Sequence, residues 1–353
     1  MKLETAHGVL DFPAFLPDAT RGVVRALDAE GVKACGIPGL MVNTLHLSSH
    51  PGATVVKQMG GIHRFMGWDR PIMSDSGGFQ VFSLIAENSK SGRVSKDGFV
   101  YRLDAKQKKQ KLTPEKCIQK QFQIEADVMF CLDHCTHPNE DASAQQQSVA
   151  HTIAWARRCK DEFERRLGDK GRLLFAVVQG GEDPNLRRDC AEQLLEIGFD
   201  GYGFGGWPIA DDGGLVEAVA QVTELLPDHV PKHALGIGKP ENVVRAFRFG
   251  YHTFDCTIPT RDARNKRLYT FCDDLDHLDF SDDFYRYVYI GDERYARDDQ
   301  PIDVTCDGAC CQNYSRAYIH HLFEIGETLA LRLATMHNLR FYSRLMDELA
   351  ADD

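Results

Sequence analysis

The sequence lacks any apolar run that approaches the roughly eighteen residues needed to span a bilayer as a helix. Its opening residues, Met1-Lys2-Leu3-Glu4-Thr5, lack the basic and then apolar pattern of a secretory signal peptide. It has no low-complexity segment, and its only internal repeat is a strand-and-helix period. We therefore expect a globular, cytoplasmic protein without membrane contact.

Net positive charge is also missing. The chain has 41 Lys and Arg residues against 52 Asp and Glu residues, a formal net charge of −11. That balance argues against non-specific binding of nucleic acid through the whole surface. Two segments can still form a local basic face, namely 261–267 and the lysine-rich run 106–111. Taken alone, the second is more typical of a solvated hairpin tip.

Clustered cysteines are few, although the chain has eleven cysteines in total. Most stand singly in apolar segments, where a reduced thiol packs as a small hydrophobic side chain. Only Cys306, Cys310 and Cys311 cluster, and His337 follows Cys311 by 26 positions. This spacing is a moderate signal for a metal site, because zinc takes four N or S ligands. The alternative is a reduced cluster without metal.

The sequence does contain a series of short, continuously apolar runs. Hydrophobic residues make up 43% of the chain, enough for a sizeable core. Continuous apolarity is typical of parallel strands that are covered on both faces. Eight such runs lie at 12–16, 40–44, 71–75, 127–133, 173–179, 201–206, 233–238 and 251–255.

Helical patterns alternate with these runs. Val149, Ile153 and Phe163 repeat at helical spacing. Asp183-Pro184 is a cap followed by a proline suited to a first turn. The alternation favours an α/β fold, a (β/α)₈ TIM barrel, over the alternative of an open doubly wound sheet.

Interruptions of the alternation predict the domain organisation. We expect the barrel over 1–265, with a β-hairpin insertion at about 86–112. A C-terminal zinc-binding subdomain is expected over 266–353, closed by helices around 312–325 and 326–349.

In a TIM barrel the chemistry belongs at the carboxyl ends of the strands, so the residues that end the runs should face one another. Singly, a glycine at a strand end is ordinary turn chemistry. Together the endings predict a site with three carboxylates, one amide and exposed backbone edges. They are Asp75-Ser76-Gly77-Gly78, Asp133-His134, Gln179-Gly180-Gly181, Gly205-Gly206, Gly236-Ile237-Gly238 and Asp255.

The last ending is the most informative. Asp255 ends an apolar run and is followed by Pro259 and then by Arg261 and Arg264. This arrangement suits a carboxylate nucleophile beside an anionic, phosphate-bearing substrate. The alternative is that Asp255 is only a turn former or a helix N-cap, as is common after a strand.

At these residues the chain resembles the queuine tRNA-ribosyltransferases, the bacterial-type tRNA-guanine transglycosylase family. The resemblance runs nearly end to end and implies a (β/α)₈ barrel with a zinc-bearing insertion near the carboxyl end. It rests on the motifs GGIHRFMGW at 60–68, SDSGGFQVFSL at 74–84, VQGG at 178–181, FD at 254–255 and NYSRAY at 313–318.

The resemblance implies exchange of guanine at the wobble position of a GUN anticodon for a 7-deazaguanine, without cleavage of the tRNA chain. Asp255 matches the nucleophile that attacks C1′ of the ribose and forms a covalent glycosyl-enzyme. A second displacement by the incoming base restores the anomeric configuration. Asp75 matches the general acid/base that protonates the departing guanine and deprotonates N9 of its replacement.

Further residues are assigned to substrate binding by the same resemblance. Arg261 and Arg264 match positions near the anticodon-loop phosphates and bases, and for Arg264 a salt bridge within the turn is the alternative. The residues assigned to the base are Asp133, Gln179, Gly206, Ser76 and Asp211, of which Asp133, Gln179 and Gly206 read the purine-like edge.

The chain departs from the family in two loops expected at the base pocket. It has Asp133-His134-Cys135 where the bacterial pattern has Asp-Glu-Cys. It has Trp207-Pro208-Ile209-Ala210-Asp211 where the pattern has Leu-Ala-Val-Gly-Glu. Asp211 keeps the charge of the glutamate that helps to hold the aminomethyl group of preQ1. The choice between preQ1, queuine and another 7-deazaguanine stays open, and bulky Ile209 slightly favours preQ1.

The zinc pattern departs as well. Cys306, Cys311 and His337 match three of the four family ligands, whereas Gly308 replaces the middle cysteine. Cys310 is the candidate substitute, although adjacent cysteines are awkward joint ligands, and a three-ligand or water-completed site is the alternative. The Zn²⁺ ion is expected to be structural.

The partners implied by the resemblance are a tRNA with a GUN anticodon, the 7-deazaguanine base and a second copy of the chain in a homodimer. Two other functions are considered. One is the same exchange on DNA, which the two anticodon-side arginines disfavour. The other is a non-catalytic tRNA-binding partner subunit, which the retention of Asp75 and Asp255 disfavours.

Overall fold

The strands follow the apolar runs of the sequence. The computed structural model describes residues 1–104, 106, 108–168, 171–273, 280 and 283–352, the last without its side chain. In chain order the strands are β1 (Lys2–Thr5), β2 (Gly8–Asp11), β3 (Ala14–Pro17), β4 (Leu40–Asn43), β5 (Ile72–Asp75), β6 (Gly92–Ser95), β7 (Gly98–Tyr101), β8 (Gln110–Leu112), β9 (Val128–Phe130), β10 (Leu173–Val178), β11 (Gly201–Phe204), β12 (Lys232–Ala234), β13 (Thr253–Cys256), β14 (Arg267–Phe271) and β15 (Tyr285–Tyr289).

The helices lie between and after these strands. The predicted cap is present, since the Asp183 side chain accepts from the backbone N–H groups of Asn185 and Leu186, and Pro184 follows. The helices are α1 (Ala29–Lys33), α2 (Thr44–Ser49), α3 (Ala53–Gln58), α4 (Gly61–Met66), α5 (Gly78–Glu87), α6 (Pro114–Ile124), α7 (Ala142–Arg166), α8 (Pro184–Ile197), α9 (Glu217–Leu225), α10 (Pro240–Arg248), α11 (Ile258–Arg264), α12 (Ala309–Asn313), α13 (Arg316–Glu324) and α14 (Thr328–Asp352).

Eight strands in the described part of the chain form one parallel sheet, in the order β3, β13, β12, β11, β10, β9, β5, β4. The two end strands meet, because Asp18 and Met41 form a parallel bridge and the Ala19 N–H donates to the Met41 carbonyl at 2.7 Å. The sheet therefore closes almost completely into the predicted (β/α)₈ barrel. That bridge argues against the open-sheet alternative.

A hairpin that the sequence analysis did not identify covers the amino-terminal end of the barrel. Strands β1 and β2 pair antiparallel and place Leu3 and Leu10 against the residues that fill the barrel interior. Those interior residues include Met73, Phe130 and Phe175, each at most 1% exposed. Burying one such side chain stabilises the fold by about 1.5–3 kcal/mol.

A buried carboxylate ties this hairpin to the barrel. Asp127 Oδ1 lies 2.7 Å from His7 Nδ1, in the turn between β1 and β2. Asp127 Oδ2 lies 3.1 Å from His63 Nε2 and accepts from the Ile72 N–H at 2.9 Å. Burial raises the pKa of Asp127, but the hydrogen bonds from the two histidines more than offset this and lower it. Both carboxylate oxygens of Asp127 thus have partners, and their contacts stabilise the packing of the hairpin against the barrel.

Two antiparallel additions interrupt the barrel. The insertion expected as a hairpin at 86–112 is a three-stranded sheet, β6-β7-β8, because 110–112 adds a third strand to the hairpin. Its lysine-rich run at 106–111 includes residue 107, which lies outside the described residues. After the barrel, β14 and β15 pair antiparallel.

The two predicted closing helices correspond to α13 and α14. Helix α14 contacts α11, α12 and α13 as well as barrel strand β3. Asn338 of α14 donates to the carbonyls of Pro259 and Arg267, both at 3.0 Å. The last helix therefore bonds the C-terminal segment to the carboxyl edge of the barrel, and the boundary at 265 stays a prediction. Among the described residues, no helix has the length and apolarity to cross a membrane.

Candidate active site

The carboxyl ends of the barrel strands surround a cavity of about 510 Å³. Asp75, Asp133, Gly206 and Asp255 all line it, so the strand endings converge as predicted. A fourth carboxylate, Asp18, follows β3 and was not predicted. The apolar part of the lining includes Met41, Phe79, Val177, Phe204, Trp207 and Leu235.

Asp255 lies in strand β13 and is 20% exposed. Its Oδ1 atom lies 3.1 Å from Nε2 of His233 and accepts from the Gly236 N–H at 3.1 Å. Helix α11 begins at Ile258 after Thr257 and has no side-chain cap. Asp255 is therefore not a helix N-cap, and its carboxylate faces the cavity.

His233 was missed by the sequence analysis, which treated it only as part of an apolar run. It is fully buried, and its Nδ1 atom lies 2.8 Å from Thr253 Oγ1. The parallel register of β12 and β13 sets His233 opposite Thr253, two residues before Asp255. A histidine inside a strand of the barrel was the available signal, but the register that gives it a partner is not visible in the sequence.

Asp75 ends β5 and is held by its neighbours on both oxygens. Asn43 Nδ2 donates to Oδ2 at 2.6 Å, and the Gly77 N–H donates to Oδ1 at 3.4 Å. Burial raises the pKa of Asp75, and the charge of Asp255 adds to the rise. Gly77 has φ +83°, and a Cβ there would lie 2.7 Å from Leu45 Cβ. A carboxyl group with a raised pKa beside a second carboxylate suits acid/base chemistry.

Asp133 and Gln179 form a pair at the cavity wall. Gln179 Nε2 donates to Asp133 Oδ2 at 2.6 Å, and Gln179 is itself buried. Burial raises the pKa of Asp133 to about 6 although the Gln179 hydrogen bond opposes the rise, and the charge of Asp75 adds to it. A Cβ at Gly205 would lie 2.5 Å from Gln179 Nε2, so a glycine is required beside this pair.

Arg187 of α8 lies behind this wall, and the sequence did not identify it either. It is 1% exposed and donates to the carbonyls of Val178 at 2.6 Å, Gly205 at 2.9 Å and Gly181 at 2.8 Å. Burial lowers the pKa of Arg187 to about 10. One guanidinium thus joins the ends of β10 and β11, the two strands that lead to Gln179 and Gly206.

The expectation that His134 falls in the base pocket is wrong. Its imidazole is buried beneath α7, with Nδ1 3.2 Å from Nδ1 of His151 and its ring near those of Phe99 and Trp155. Burial and the neighbouring His151 lower the pKa of His134 to about 4. The change from the family glutamate therefore affects the packing behind the wall and not the cavity lining.

The loop after β11 does reach the cavity. Trp207, Pro208 and Ile209 line it, and Trp207 Nε1 donates to the Thr136 carbonyl at 3.0 Å. The Trp207 ring meets Phe79 edge-on, with centroids 5.7 Å apart.

Three residues assigned to the base by resemblance, Gln179, Ser76 and Asp211, are not among the residues that line the cavity. Gln179 lies directly behind the lining, hydrogen-bonded to Asp133. Asp211 is exposed, and Ser76 is buried with its Oγ accepting from the Gly78 N–H at 3.1 Å.

A basic rim of Arg25, Arg261 and Arg264 lies near the cavity, because Arg264 interacts electrostatically with Arg25, with Arg261 and with Asp18 of the cavity lining. Arg261 is exposed, and Arg264 is half-buried and donates to the Thr260 carbonyl at 2.7 Å. Burial lowers the pKa of Arg264, and the positive charges of Arg25 and Arg261 lower it further. Within the described residues Arg264 makes no salt bridge, contrary to the alternative interpretation of that arginine.

Cys306, Cys311 and His337 come together in the C-terminal subdomain. All three are buried, and their ligand atoms lie within 4.8 Å of one another. His337 Nε2 lies 2.5 Å from the Tyr269 carbonyl, so it is the protonated nitrogen and Nδ1 is left as a ligand atom, 3.2 Å from Cys311 Sγ. Two thiols and an oriented imidazole fit a zinc ion.

Cys310 is not in that group. Cys310 directly precedes Cys311 on helix α12, where successive side chains point about 100° apart. The direction of its thiol is therefore set by the helix and differs from that of Cys311.

Comparison with known proteins gives one consistent family. A family model described as queuine tRNA-ribosyltransferase matches residues 1–351. The queuine tRNA-ribosyltransferase of Solidesulfovibrio magneticus is 39% identical over 350 residues, which cover 98% of this chain and 88% of that protein. That of Psychrobacter sp. strain PRwf-1 is 38% identical over 341 residues, 96% and 85% of the two chains. That of Thermoanaerobacter sp. strain X514 is 38% identical over 348 residues, which cover 98% of this chain and 88% of that protein.

Proposed function

This chain belongs to the queuine tRNA-ribosyltransferase family, and we propose that it installs a 7-deazaguanine at the wobble position of GUN-anticodon tRNAs by double displacement. Family membership makes it a pentosyltransferase that exchanges guanine in tRNA. The observation that supports the finer proposal is the convergence of Asp75, Asp133 and Asp255 on one cavity beside a basic rim.

Asp255 is the proposed nucleophile. Its carboxylate attacks C1′ of the ribose, the bond from C1′ to the guanine breaks, and a glycosyl ester joins tRNA to the enzyme. Asp75 gives the departing guanine a proton, and burial together with the charge of Asp255 raises its pKa, which favours the protonated form. The incoming base then loses its N9 proton to Asp75 and attacks C1′ from the opposite face, so the configuration is retained overall.

Asp133, Gln179 and the Gly206 backbone are proposed to read the base. A carboxylate accepts from N1–H and the 2-amino group, and amide donors face O6. Asp133 performs this role only when ionised, above its pKa of about 6. Ser76 is proposed to act indirectly, through its hydrogen bond with the Gly78 N–H at the start of α5. Asp211 would reach the base only with movement of its loop.

The basic rim is the proposed contact for the anticodon-loop phosphates. Arg25, Arg261 and Arg264 concentrate positive charge near Asp18 of the cavity lining, on a chain whose net charge is −11. Local positive charge of this kind positions an RNA backbone without binding nucleic acid elsewhere on the surface. The homodimer and the cytoplasmic location stay predictions.

Zinc is proposed to bind Cys306, Cys311 and His337, and Cys310, which is not in this group, is not expected to be a ligand. A bound zinc ion would cross-link the segments of the chain that contain these three residues. The loop that contains Cys306 is already tied to α14, because Arg340 donates to both carboxylate oxygens of Asp307 at 2.7 Å.

Asp255→Asn is expected to lower exchange of labelled guanine into tRNA by about a thousandfold or more, because the amide is not a nucleophile. The same variant should lose the denaturation-resistant adduct between protein and tRNA. Asp228→Asn, an exposed carboxylate before β12, is the control and should exchange at the normal rate. Normal exchange by Asp255→Asn would remove this residue as the nucleophile.

Offered guanine, preQ1 and queuine together with an unmodified GUN-anticodon tRNA, the enzyme is expected to incorporate preQ1 over queuine. Ile209 and Pro208 occupy the cavity wall where a larger 7-substituent would need space. Ile209→Ala should raise the share of queuine, whereas Val55→Ala on exposed α3 should leave the ratio unchanged. Preferential incorporation of queuine by the unmodified enzyme would contradict the preQ1 assignment.

Elemental analysis of purified protein is expected to find about one zinc per chain. Cys311→Ser and His337→Ala should each lose most of it, since each removes a member of the buried group. Cys310→Ser should retain it. Loss of zinc from Cys310→Ser would make Cys310 the fourth ligand, and an active preparation without metal would rule out the zinc site.

A further inference from the structure

We propose that His233 is a positioning residue for the nucleophile: with the Gly236 N–H it holds Oδ1 of Asp255, so that Oδ2 is the oxygen that attacks C1′. The inference rests on the proposed nucleophilic role of Asp255. It assigns different roles to the two carboxylate oxygens of Asp255. It also gives a role to a buried histidine that does not contact the substrate.

The contacts of Asp255 are asymmetric. Both hydrogen bonds to its carboxylate reach Oδ1, one from His233 Nε2 and one from the Gly236 N–H, each at 3.1 Å. Among the described residues none donates a hydrogen bond to Oδ2. A carboxylate oxygen offers about two acceptor positions, so the two donors occupy those of Oδ1. The lone pairs of Oδ2 stay available to an electrophile in the cavity.

The Asp255 carboxylate fixes a proton on His233 Nε2, and Thr253 contacts the other ring nitrogen. A neutral imidazole has one N–H and one bare nitrogen, and the nitrogen that faces the Asp255 carboxylate must be the donor. Nε2 therefore has the proton, and Nδ1 accepts from the Thr253 hydroxyl at 2.8 Å. The ring is fully buried and packs beside Phe130, with centroids 5.2 Å apart. One orientation and one tautomer satisfy both contacts.

The arrangement suits both states of the reaction. A lone pair on Oδ2 forms the bond to C1′ while the C1′–N9 bond breaks, and that electron pair leaves with guanine, which takes its proton from Asp75. Oδ1 then becomes the carbonyl oxygen of the ester and still accepts from His233 and Gly236. Donors that are already in place need not reorganise during the step.

Two substitutions separate positioning from packing. His233→Asn keeps a polar atom near the Nδ1 position but loses the donor to Asp255, whereas His233→Gln can place an amide N–H near the Nε2 position. His233→Asn is expected to lower kcat by about 10- to 100-fold, the usual effect of losing a hydrogen bond to a charged group. KM for tRNA and for the base should stay within about twofold, because neither contacts the imidazole. His233→Gln should recover most of the loss.

Thr253→Val is the third variant, since it removes only the hydroxyl that holds Nδ1 of the His233 ring. It should lower kcat by less than His233→Asn does, again with little change in KM. Single-turnover formation of the covalent adduct should slow in the same order. Thermal unfolding of each variant accompanies the kinetics, and Thr253→Val provides the comparison if His233→Asn does not fold.

Equal losses in folded His233→Asn and His233→Gln would overturn the proposal, as would normal adduct formation in His233→Asn. A loss confined to KM would also contradict it. The nucleophile assignment is tested separately: exchange by Asp255→Asn removes that assignment, whereas an inactive Asp255→Asn beside a normal His233→Asn rejects only the positioning role.

Discussion

The crowding of four carboxyl groups around one cavity is the constraint on which the rest of the site depends. Asp18, Asp75, Asp133 and Asp255 all line it, and burial together with mutual repulsion raises the pKa of Asp18, Asp75 and Asp133. Such a group folds only if each carboxylate has its own donors. It functions only if those donors leave the reacting atoms free.

In the parallel barrel the same kind of hydrogen bond recurs at three strand ends. Each of the three strand-end carboxylates is bonded to a side chain from the adjacent strand or its extension. Asn43 of β4 donates to Asp75 of β5, Gln179 after β10 donates to Asp133 after β9, and His233 of β12 donates to Asp255 of β13. The three donors differ in chemistry, and so do the proposed roles of the carboxylates: proton transfer, base recognition and attack on C1′. The basic rim outside opposes the same negative charge and orients the RNA.

The sequence predicted what depends on local pattern and chain order. Eight apolar runs identified the barrel strands, and their polar endings identified Asp75, Asp133 and Asp255 as neighbours. What it could not predict depends on register and on side-chain direction. His233 has a partner only because β12 and β13 pair in one register, and Arg187 joins two strand ends only because three carbonyls surround it. His134 was assigned to the pocket by its place beside Asp133, yet its side chain points into the packing beneath α7. Gly308 marked a missing ligand, but only the fold shows that Cys310 is not among the residues whose ligand atoms lie within 4.8 Å of one another.

The site of covalent attachment tests the role of Asp255 as nucleophile most directly. The enzyme is mixed with a GUN-anticodon tRNA without free base, denatured, digested with nuclease and protease, and the peptides are analysed by mass spectrometry. The account predicts a ribosyl-linked nucleotide remnant on the peptide that contains Asp255, bound through its side chain. Attachment to Asp18 or Asp75, or exchange that proceeds with no adduct on any peptide, would contradict it.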